Sequence, residues 1–272
     1  MTSCDAPGTV GTVGRASMRG LLRSEWAKLR TVRSTGWILG MTVLVGLAAS
    51  AAATAVTRVR WPTEPAASRA AFDPVEVSLM GTYLAGSLLL GVLGILVVSS
   101  EYSTGTIRAT LAASPRRLRV LAAKVIVFGA VSLVVSEIVA LAGFLVGQAL
   151  LSSPAPHATL SSPGALRAIG GTGFFLCLVG LFGLGIAAAV RHTAGAISIY
   201  AGVLLVLPVI FEALPGSLQY QVERLQPLTI GSVMVDDHVP HAFGPWGGLA
   251  VVCGYTALAL GLGAVLMARR DA

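Results

Sequence analysis

Residues 79–100 read LMGTYLAGSLLLGVLGILVVSS, a run without a single charged side chain. A helix of about 20 apolar residues is long enough to cross the hydrocarbon layer of a membrane. Inside that layer the backbone N–H and C=O groups find no water, so they must pair with one another within the helix. The run is therefore predicted to be a membrane-spanning helix.

Five more apolar runs of similar length occur in the chain. With the first, the six runs occupy residues 36–57, 79–100, 121–151, 168–190, 195–214 and 246–267. The chain is 55% hydrophobic and only 11% charged, whereas soluble domains carry about 25% charged residues. The sequence therefore predicts an all-α polytopic membrane protein with six transmembrane helices.

The basic residues predict which side of the membrane each loop occupies. With the N-terminus inside, fourteen Lys and Arg residues lie near the inner ends of the spans and five lie near the outer ends. Short cytoplasmic loops are enriched in Lys and Arg, so both termini are predicted to be cytoplasmic. The same bias accounts for the net charge of +7, and no nucleic-acid partner is needed to explain it.

Residues 1–17 are small and polar and are predicted to be a flexible lead, which leaves 18–272 as a single transmembrane domain. No apolar segment with a cleavage site follows early enough for a signal peptide. The chain has 17 Arg but only two Lys, with abundant Ala and Gly, which is typical of a GC-rich bacterial genome such as that of an actinobacterium. The predicted location is the bacterial plasma membrane.

The segment before the first span is predicted to be an amphipathic helix. Its apolar residues recur every three or four positions from Met18 to Val32, and its arginines fall on the opposite face. A helix with one apolar face, one basic face and a Trp, here Trp26, lies in the membrane interface. Glu25 falls within the apolar stripe, and a pair with Lys28 three residues later is favoured over a wider role.

The segment between the second and third spans, residues 101–124, reads EYSTGTIRATLAASPRRLRVLAAK. It is predicted to form a short helix from about residue 103 to residue 113, with Ile107 and Leu111 on one side. Pro115 ends this helix, because the residue before a proline disfavours helical geometry. A short helix held between two spans would move with both, as a part that receives force from a soluble partner must.

Small residues at four-residue spacing predict close contacts between the spans. The pairs are Gly36 with Gly40, Gly46 with Ser50, Ser87 with Gly91, and Gly143 with Gly147. Lipid supplies no hydrophobic drive for helix association, so close backbone approach at such positions is how spans pack. Packing within one bundle is favoured for most of these pairs over contact with a second subunit.

Two segments of the chain resemble the membrane subunit of ABC-2 type transporters. They are SEWAKLRTVRST at residues 24–35, and EYSTGT at residues 101–106 with the SPRR at residues 114–117 and Lys124 that follow. The six-span layout is similar too. In that family the segment before the first span is an interfacial elbow, and the helix between spans two and three is the coupling helix that docks on the ATPase.

The resemblance also assigns individual residues to these two parts. It assigns Trp26 and Lys28 to the elbow, and Glu25 is a candidate there because of its predicted pair with Lys28. It assigns Glu101, Gly105, Thr106 and Arg108 to the ATPase-coupling segment, and Ile107 and Leu111 are candidates there because they share one side of the predicted helix. The partners that it implies are a separate ABC ATPase and a second permease copy, identical or different, within the membrane lipids. The chain would then be the permease subunit of an ATP-driven transporter, an exporter by the same resemblance.

The chain itself is not predicted to bind ATP. A phosphate-binding loop, G-x-x-x-x-G-K-[ST], needs a lysine directly after a glycine, because backbone N–H groups and the ammonium together hold the phosphates. Lys28 and Lys124 each follow an alanine. No cofactor of its own is therefore expected, and ATP would be bound and hydrolysed by the partner subunit.

Few polar side chains lie within the predicted spans. Glu137 lies near the middle of the third, where an ionisable group costs about 2.5 kcal/mol or more unless it is paired, protonated or hydrated. Glu137 and Gln148 are therefore candidates for the translocation path. A neutral Glu137 that is hydrogen-bonded to a neighbouring span explains the residue equally well. The alternative function is an ion-coupled secondary transporter that uses Glu137.

The longest loop, residues 215–245, contains apolar stretches that are too short to span, and short helices that dip into the outer leaflet are expected there. Its DDHVPH motif at residues 236–241 has metal-binding residue types, but the Pro prevents a continuous helix and a solvated turn is favoured. No metal site is predicted. No catalytic site is predicted either, because H-E-x-x-H and G-x-S-x-G are lacking and all four His lie in predicted loops.

Overall fold

The computed structural model describes residues 17–107, 110, 116–151, 155–223, 225–235 and 243–269. The regular secondary structure in these ranges is helical, and no strand occurs in them. Six helices in them are long and apolar enough to cross a membrane. The predicted all-α polytopic fold is therefore confirmed.

The spans are longer at most ends than the predicted apolar runs. They are span 1 at Arg33–Arg60, span 2 at Pro74–Ser103, span 3 at Arg117–Leu150, span 4 at Ala165–Val190, span 5 at Thr193–Glu212 and span 6 at Pro245–Arg269. Arginines at several ends extend the helix beyond the apolar run, because their long stems can stay in the interface while the charge reaches water.

A separate helix, Met18–Thr31, precedes span 1 and is called the elbow helix. Ser17 begins it, and the Ser17 Oγ accepts a hydrogen bond from the Gly20 N–H at 3.2 Å. Val32 ends it in an extended conformation, and span 1 starts at the next residue. The chain therefore turns sharply at Val32, as an interfacial helix joined to a span must.

Spans 2 and 4 form the centre of the bundle. In their most apolar stretches 61% and 72% of residues are buried, against 17% in spans 5 and 6. The two helices cross through glycines: a Cβ at Gly94 would overlap the Gly180 carbonyl, and one at Gly183 would overlap the Gly91 carbonyl. Close approach of backbones is what holds helices together in lipid.

The predicted small-residue pairs pack mostly inside this bundle. Gly143 and Gly147 of span 3 lie against Thr82 and Ser78 of span 2, and the Ser50 and Thr82 hydroxyls are hydrogen-bonded at 2.8 Å. Gly36 and Gly40 are different, because no described residue lies within 4 Å of a Cβ built on either of them. That face of span 1 is open in the single chain.

Span 5 is irregular in its middle. Residues Gly202–Val206 form a wide turn of π-helix between the helical segments Thr193–Ala201 and Leu207–Glu212. Pro208 is the second residue of the segment after this turn, and its lack of an N–H removes one backbone hydrogen bond from the preceding turn. Two shorter helices follow in the long loop, at Gly216–Glu223 and Pro227–Val235.

The second of these loop helices packs on the bundle. Gly231 lies against the Phe175 ring of span 4, and Ile230 lies against Gly248 of span 6. Short helices were expected in this loop, and their depth in the outer leaflet stays a prediction. The DDHVPH motif lies outside the described residues. Within the described ranges, no group of three or more His, Cys, Asp or Glu side chains could hold a metal ion.

Candidate functional site: an ion-paired junction at one end of the bundle

Both lysines of the chain and two of its glutamates meet at the end of the bundle that carries the elbow helix, called here the N-terminal end. Glu25 and Lys28 belong to the elbow helix, Glu101 lies in the last turn of span 2, and Lys124 lies near the start of span 3. These four residues are called the ionic junction. The junction connects three helices that are far apart in sequence.

The four charges form a closed ring of ion pairs. Lys28 Nζ lies 2.7 Å from Glu25 Oε1 and 2.7 Å from Glu101 Oε1. Lys124 Nζ lies 2.7 Å from Glu25 Oε2 and 2.6 Å from Glu101 Oε1. Each lysine contacts both carboxylates, and each carboxylate contacts both lysines. Charge-assisted hydrogen bonds of this length are among the stronger polar contacts in proteins.

The ring is almost completely shielded from solvent. Lys124 is 1% exposed, Glu25 is 3% exposed and Glu101 is 7% exposed, whereas the side chain of Lys28 is 37% exposed. Moving a charge out of water costs several kcal/mol, and this cost is offset only when partners and hydrogen bonds surround the charge. Loss of one member would therefore leave buried charges without compensation.

Lys28 closes the ring at its solvent-facing side and stays charged there. Burial lowers the pKa of Lys28, but the hydrogen bonds to Glu101 and Glu25 and the charges of both carboxylates outweigh burial, so the pKa rises above its ordinary value. The stabilisation that follows from this shift is present below the ordinary pKa of lysine. It is lost only as the pH rises through the higher folded-state pKa.

An apolar contact beside the ring brings the elbow helix into position. Leu21, one turn before Glu25, is buried against Val120 and Ala123 of span 3. Because Glu25 lies on the same stripe as Leu21, docking of this stripe carries the carboxylate into the bundle. Trp26 points away from the stripe, is 47% exposed and lies beneath the guanidinium of Arg30 at 6.0 Å. This placement suits an interfacial ring.

The predicted ATPase-coupling segment begins at the junction. Span 2 continues through Ser103, and Gly105 then adopts a left-handed conformation with φ of 71°, which breaks the helix. Glu101 is therefore part of span 2, with its carboxylate inside the ring. Gly105 and Thr106 are exposed, and Ile107 is buried. Arg108 and Leu111 lie outside the described residues.

Two arginines fasten the same end of the bundle to span 6. Arg117 Nη1 donates to the Met267 carbonyl and Arg191 Nη2 donates to the Leu266 carbonyl, each at 3.1 Å. Cations are stabilising at a helix C-terminus, where carbonyls lack partners and the helix dipole is negative. Polar contacts at the N-terminal end therefore join span 6 to the start of span 3 and to the end of span 4.

Glu137 and Gln148, the candidates for a translocation path, lie apart from the junction and from each other. The Glu137 carboxyl lies half-buried against Gly173 of span 4. Gln148, about 16 Å further along the same helix, donates to the Pro74 carbonyl at 2.7 Å and to Ser78 Oγ at 2.8 Å, and its Oε1 accepts from the Ala158 N–H at 2.6 Å. These contacts join the ends of two spans and a loop, and the path assignment stays a prediction.

The sequence analysis missed two features of the junction. The predicted pair between Glu25 and Lys28 is present. The sequence analysis disfavoured a wider role for Glu25, and this was wrong, because Glu25 also pairs with Lys124. Lys124 itself was not predicted as a site residue. A usable signal was in the sequence: the only two lysines among nineteen basic residues stand at the start of spans or just before them.

The six apolar helices and the polar contacts at one end define the class of the molecule as a multi-pass α-helical membrane protein. The chain belongs to the ABC-2 family of transporter proteins, since the model of the "ABC-2 family transporter protein" matches residues 21–199. A comparison with curated proteins gives no significant match. The matched region contains all four junction residues, and the family predicted by resemblance is confirmed.

Family membership gives the chain its general role. It is a membrane permease subunit of an ABC transporter. Permeases of this family are transmembrane subunits, not P-loop ATPases, and normally work with an ABC ATPase partner. The predicted function is confirmed to this extent.

Proposed function

We propose that the chain is the permease of an ATP-driven exporter, and that the ionic junction transmits the motion of the ATPase from the coupling segment to the elbow helix and span 3. In this proposal the N-terminal end is cytoplasmic, in agreement with its excess of basic residues. The observation that carries it is the closed ring of ion pairs among Glu25, Lys28, Glu101 and Lys124.

The ring makes three elements behave as one body. A force on the segment after Ser103 acts first on the last turn of span 2, where Glu101 contacts both lysines. If span 2 moved alone, Glu101 and Lys124 would separate within a buried site, and each would lose a partner that water cannot replace. The lower-energy movement is a joint displacement of span 2, span 3 and the elbow helix.

The exposed residues after span 2 are the proposed ATPase contact. The Thr104 and Thr106 hydroxyls are 3.0 Å apart at the surface, next to the left-handed Gly105. Ile107 is buried within the chain, so its side chain supports the segment and is not offered to a partner. We assign docking to Thr106 and to Arg108, which the resemblance places on the same segment.

A co-purification experiment tests docking. The variants Thr106→Arg and Arg108→Asp are expected to lose the ATPase that is expressed with them. Thr159→Arg, at an exposed threonine on the opposite end of the bundle, is the matched control and should retain it. Undiminished recovery of the ATPase with both coupling variants would refute this docking surface.

A second experiment separates transmission from docking. Glu101→Gln keeps the size of the side chain but removes the charge that holds both lysines. We expect this variant to bind the ATPase normally while the permease no longer stimulates ATP hydrolysis in proteoliposomes. Normal stimulation by a folded Glu101→Gln protein would contradict a transmitting role for the junction.

Three finer points of the proposal rest on the resemblance or on single contacts. A second permease copy, identical or different, completes the transporter, and the open face at Gly36 and Gly40 would allow a close approach. Glu137 lines the translocation path from its place beside Gly173. Outward transport, with ATP held by the partner, follows the family resemblance.

The ion-coupled alternative loses support once the chain belongs to an ABC family. An ion-coupled carrier would need acidic groups that can release ions to both sides. Transport by vesicles that continues without ATP and stops when the ion gradient is removed would reinstate that alternative.

A further inference from the structure

A cavity of about 450 Å³ opens beside the ionic junction, between the elbow helix, span 1 and span 2. The junction residues line one end of it. The opposite wall is apolar and includes Ile38, Leu93, Leu96 and Val97. Exposed polar residues that line it include Ser34, Ser100, Thr104 and Thr106. The cavity is therefore amphipathic along its length.

The polar end of the cavity has unused hydrogen-bonding capacity. Glu101 Oε2 is buried and has no hydrogen-bond partner within the described part of the chain. Lys28 Nζ uses two of its three protons on Glu25 and Glu101, and its side chain is partly exposed. Among the described residues, one acceptor and one donor of opposite charge are thus unpaired at the same site.

A buried carboxylate oxygen without a donor is destabilising. The cost of an unmet buried polar group is about 1–3 kcal/mol, and it is greater for a charged one. A ligand that brings an N–H donor to Glu101 would recover part of this cost. A ligand that also carries an anionic oxygen would satisfy the remaining proton of Lys28. A zwitterionic group could therefore pair with both Glu101 Oε2 and the remaining proton of Lys28.

The apolar wall specifies the rest of the ligand. Leu93 precedes Glu101 by eight residues, so the wall extends about 12 Å along span 2 from the polar end. The polar end lies at the end of the span, where lipid headgroups are found, and the wall runs toward the hydrocarbon. A soluble zwitterion would make no contact with the apolar wall, and a hydrocarbon would make no hydrogen bond to Glu101 or Lys28.

We propose that this cavity binds an aminophospholipid with an ethanolamine headgroup from the leaflet at the N-terminal end. The ammonium donates to Glu101 Oε2, the phosphate accepts from Lys28 Nζ, and one acyl chain lies against the wall of spans 1 and 2. A trimethylated choline headgroup cannot donate to Glu101, and a glycerol headgroup has no cation for it. The inference does not depend on where the ATPase docks.

Native mass spectrometry of the delipidated full chain in detergent tests this inference. The probes are phosphatidylethanolamine, phosphatidylcholine and phosphatidylglycerol with identical acyl chains, and soluble phosphoethanolamine. We expect the ethanolamine lipid to bind about tenfold more tightly than the other two lipids, as one hydrogen bond between charged groups allows. Equal binding of all three lipids would overturn the proposal, and so would soluble phosphoethanolamine that binds as well as the lipid.

A matched pair of serines on the last turns of span 2 tests the location. Both serines are exposed, but Ser100 lines the cavity and Ser103 does not. Within the part of the chain that the structure describes, each hydroxyl donates to a carbonyl of its own helix and to no other group. Ser100→Trp should abolish the preference for the ethanolamine lipid, and Ser103→Trp should keep it. An unchanged preference in a folded Ser100→Trp protein would refute the site. If that variant does not fold, the comparison of the three lipids on the wild-type protein tests the proposal.

Discussion

Span 2 takes part in two contacts of opposite kind. At its middle, Gly94 lies against the Gly180 carbonyl and the Gly91 carbonyl lies against Gly183, so span 2 crosses span 4 at backbone distance. In its last turn, Glu101 joins a ring of four charges with the elbow helix and span 3. The first contact tolerates no added atom, because carbonyl groups already occupy the space where a Cβ would be. The second tolerates no missing partner, because a buried charge cannot stand alone.

The difference follows from the surroundings of each contact. In the hydrocarbon, apolar side chains gain nothing from leaving lipid, so helices associate through tight packing of small residues. At the membrane interface, charges are available and can be buried when they are fully paired. The junction is therefore the place where the molecule can join elements firmly and still respond to a soluble partner. Four sets of variants test this distinction, in order of decreasing effect.

The largest expected effect comes from Lys124→Met, which leaves Glu25 and Glu101 buried with one cation between them. Breaking a buried pair costs about 3–5 kcal/mol. The readout is the unfolding temperature of the detergent-solubilised protein. Arg119→Met, an exposed position on the same helix, is the control and should change little. Equal unfolding temperatures for the two variants would show that the ring does not stabilise the fold.

Gly94→Leu should have the next largest effect, because its side chain would meet the Gly180 carbonyl at the crossing of spans 2 and 4. Overpacking a tight contact costs about 1–3 kcal/mol, and more when backbone must move. The fraction of monodisperse protein after extraction and its unfolding temperature both measure the loss. Gly254→Leu on span 6, where a Cβ has open space, should behave like the wild type. A Gly94→Leu protein as stable as this control would contradict the crossing.

Replacing each lysine by arginine distinguishes the two sides of the ring. Lys124 is enclosed, and a larger planar guanidinium there should cost about 1–2 kcal/mol through overpacking. Lys28 is partly exposed, so Lys28→Arg should be close to neutral. Unfolding temperatures of the two single variants decide the point. A greater loss for Lys28→Arg than for Lys124→Arg would reverse the roles given to the two residues.

The smallest effect is expected for Thr82→Val, which removes the hydrogen bond to Ser50 between spans 1 and 2 while keeping the shape. Hydrogen bonds between spans contribute about 0.6 kcal/mol on average. Thr57→Val, at a hydroxyl that donates to the Ala53 carbonyl of its own helix, serves as the comparison. A loss for Thr82→Val as large as that for Lys124→Met would mean that polar contacts, not glycine packing, hold the interior.

Much of the fold was predictable because its signals are local. The six spans follow from apolar runs long enough for a bilayer, and the elbow helix follows from the periodicity that puts Leu21 and Glu25 on one stripe. The coupling segment was predicted as one short helix from about residue 103 to residue 113, and this was wrong at its start, because span 2 continues through Ser103 and the left-handed Gly105 interrupts the helix inside that range. The burial of Ile107 was not predictable, because it depends on how this segment folds back on the bundle.

The sequence by itself determined that the chain crosses a membrane six times, and it carried the family resemblance, because hydrocarbon imposes one length and one composition on every span. Only the tertiary structure decided that Glu25, Lys28, Glu101 and Lys124 form one site. Ion pairing acts over a few ångströms and is indifferent to sequence separation, so a ring closed across 99 residues of chain exists only once three helices have packed.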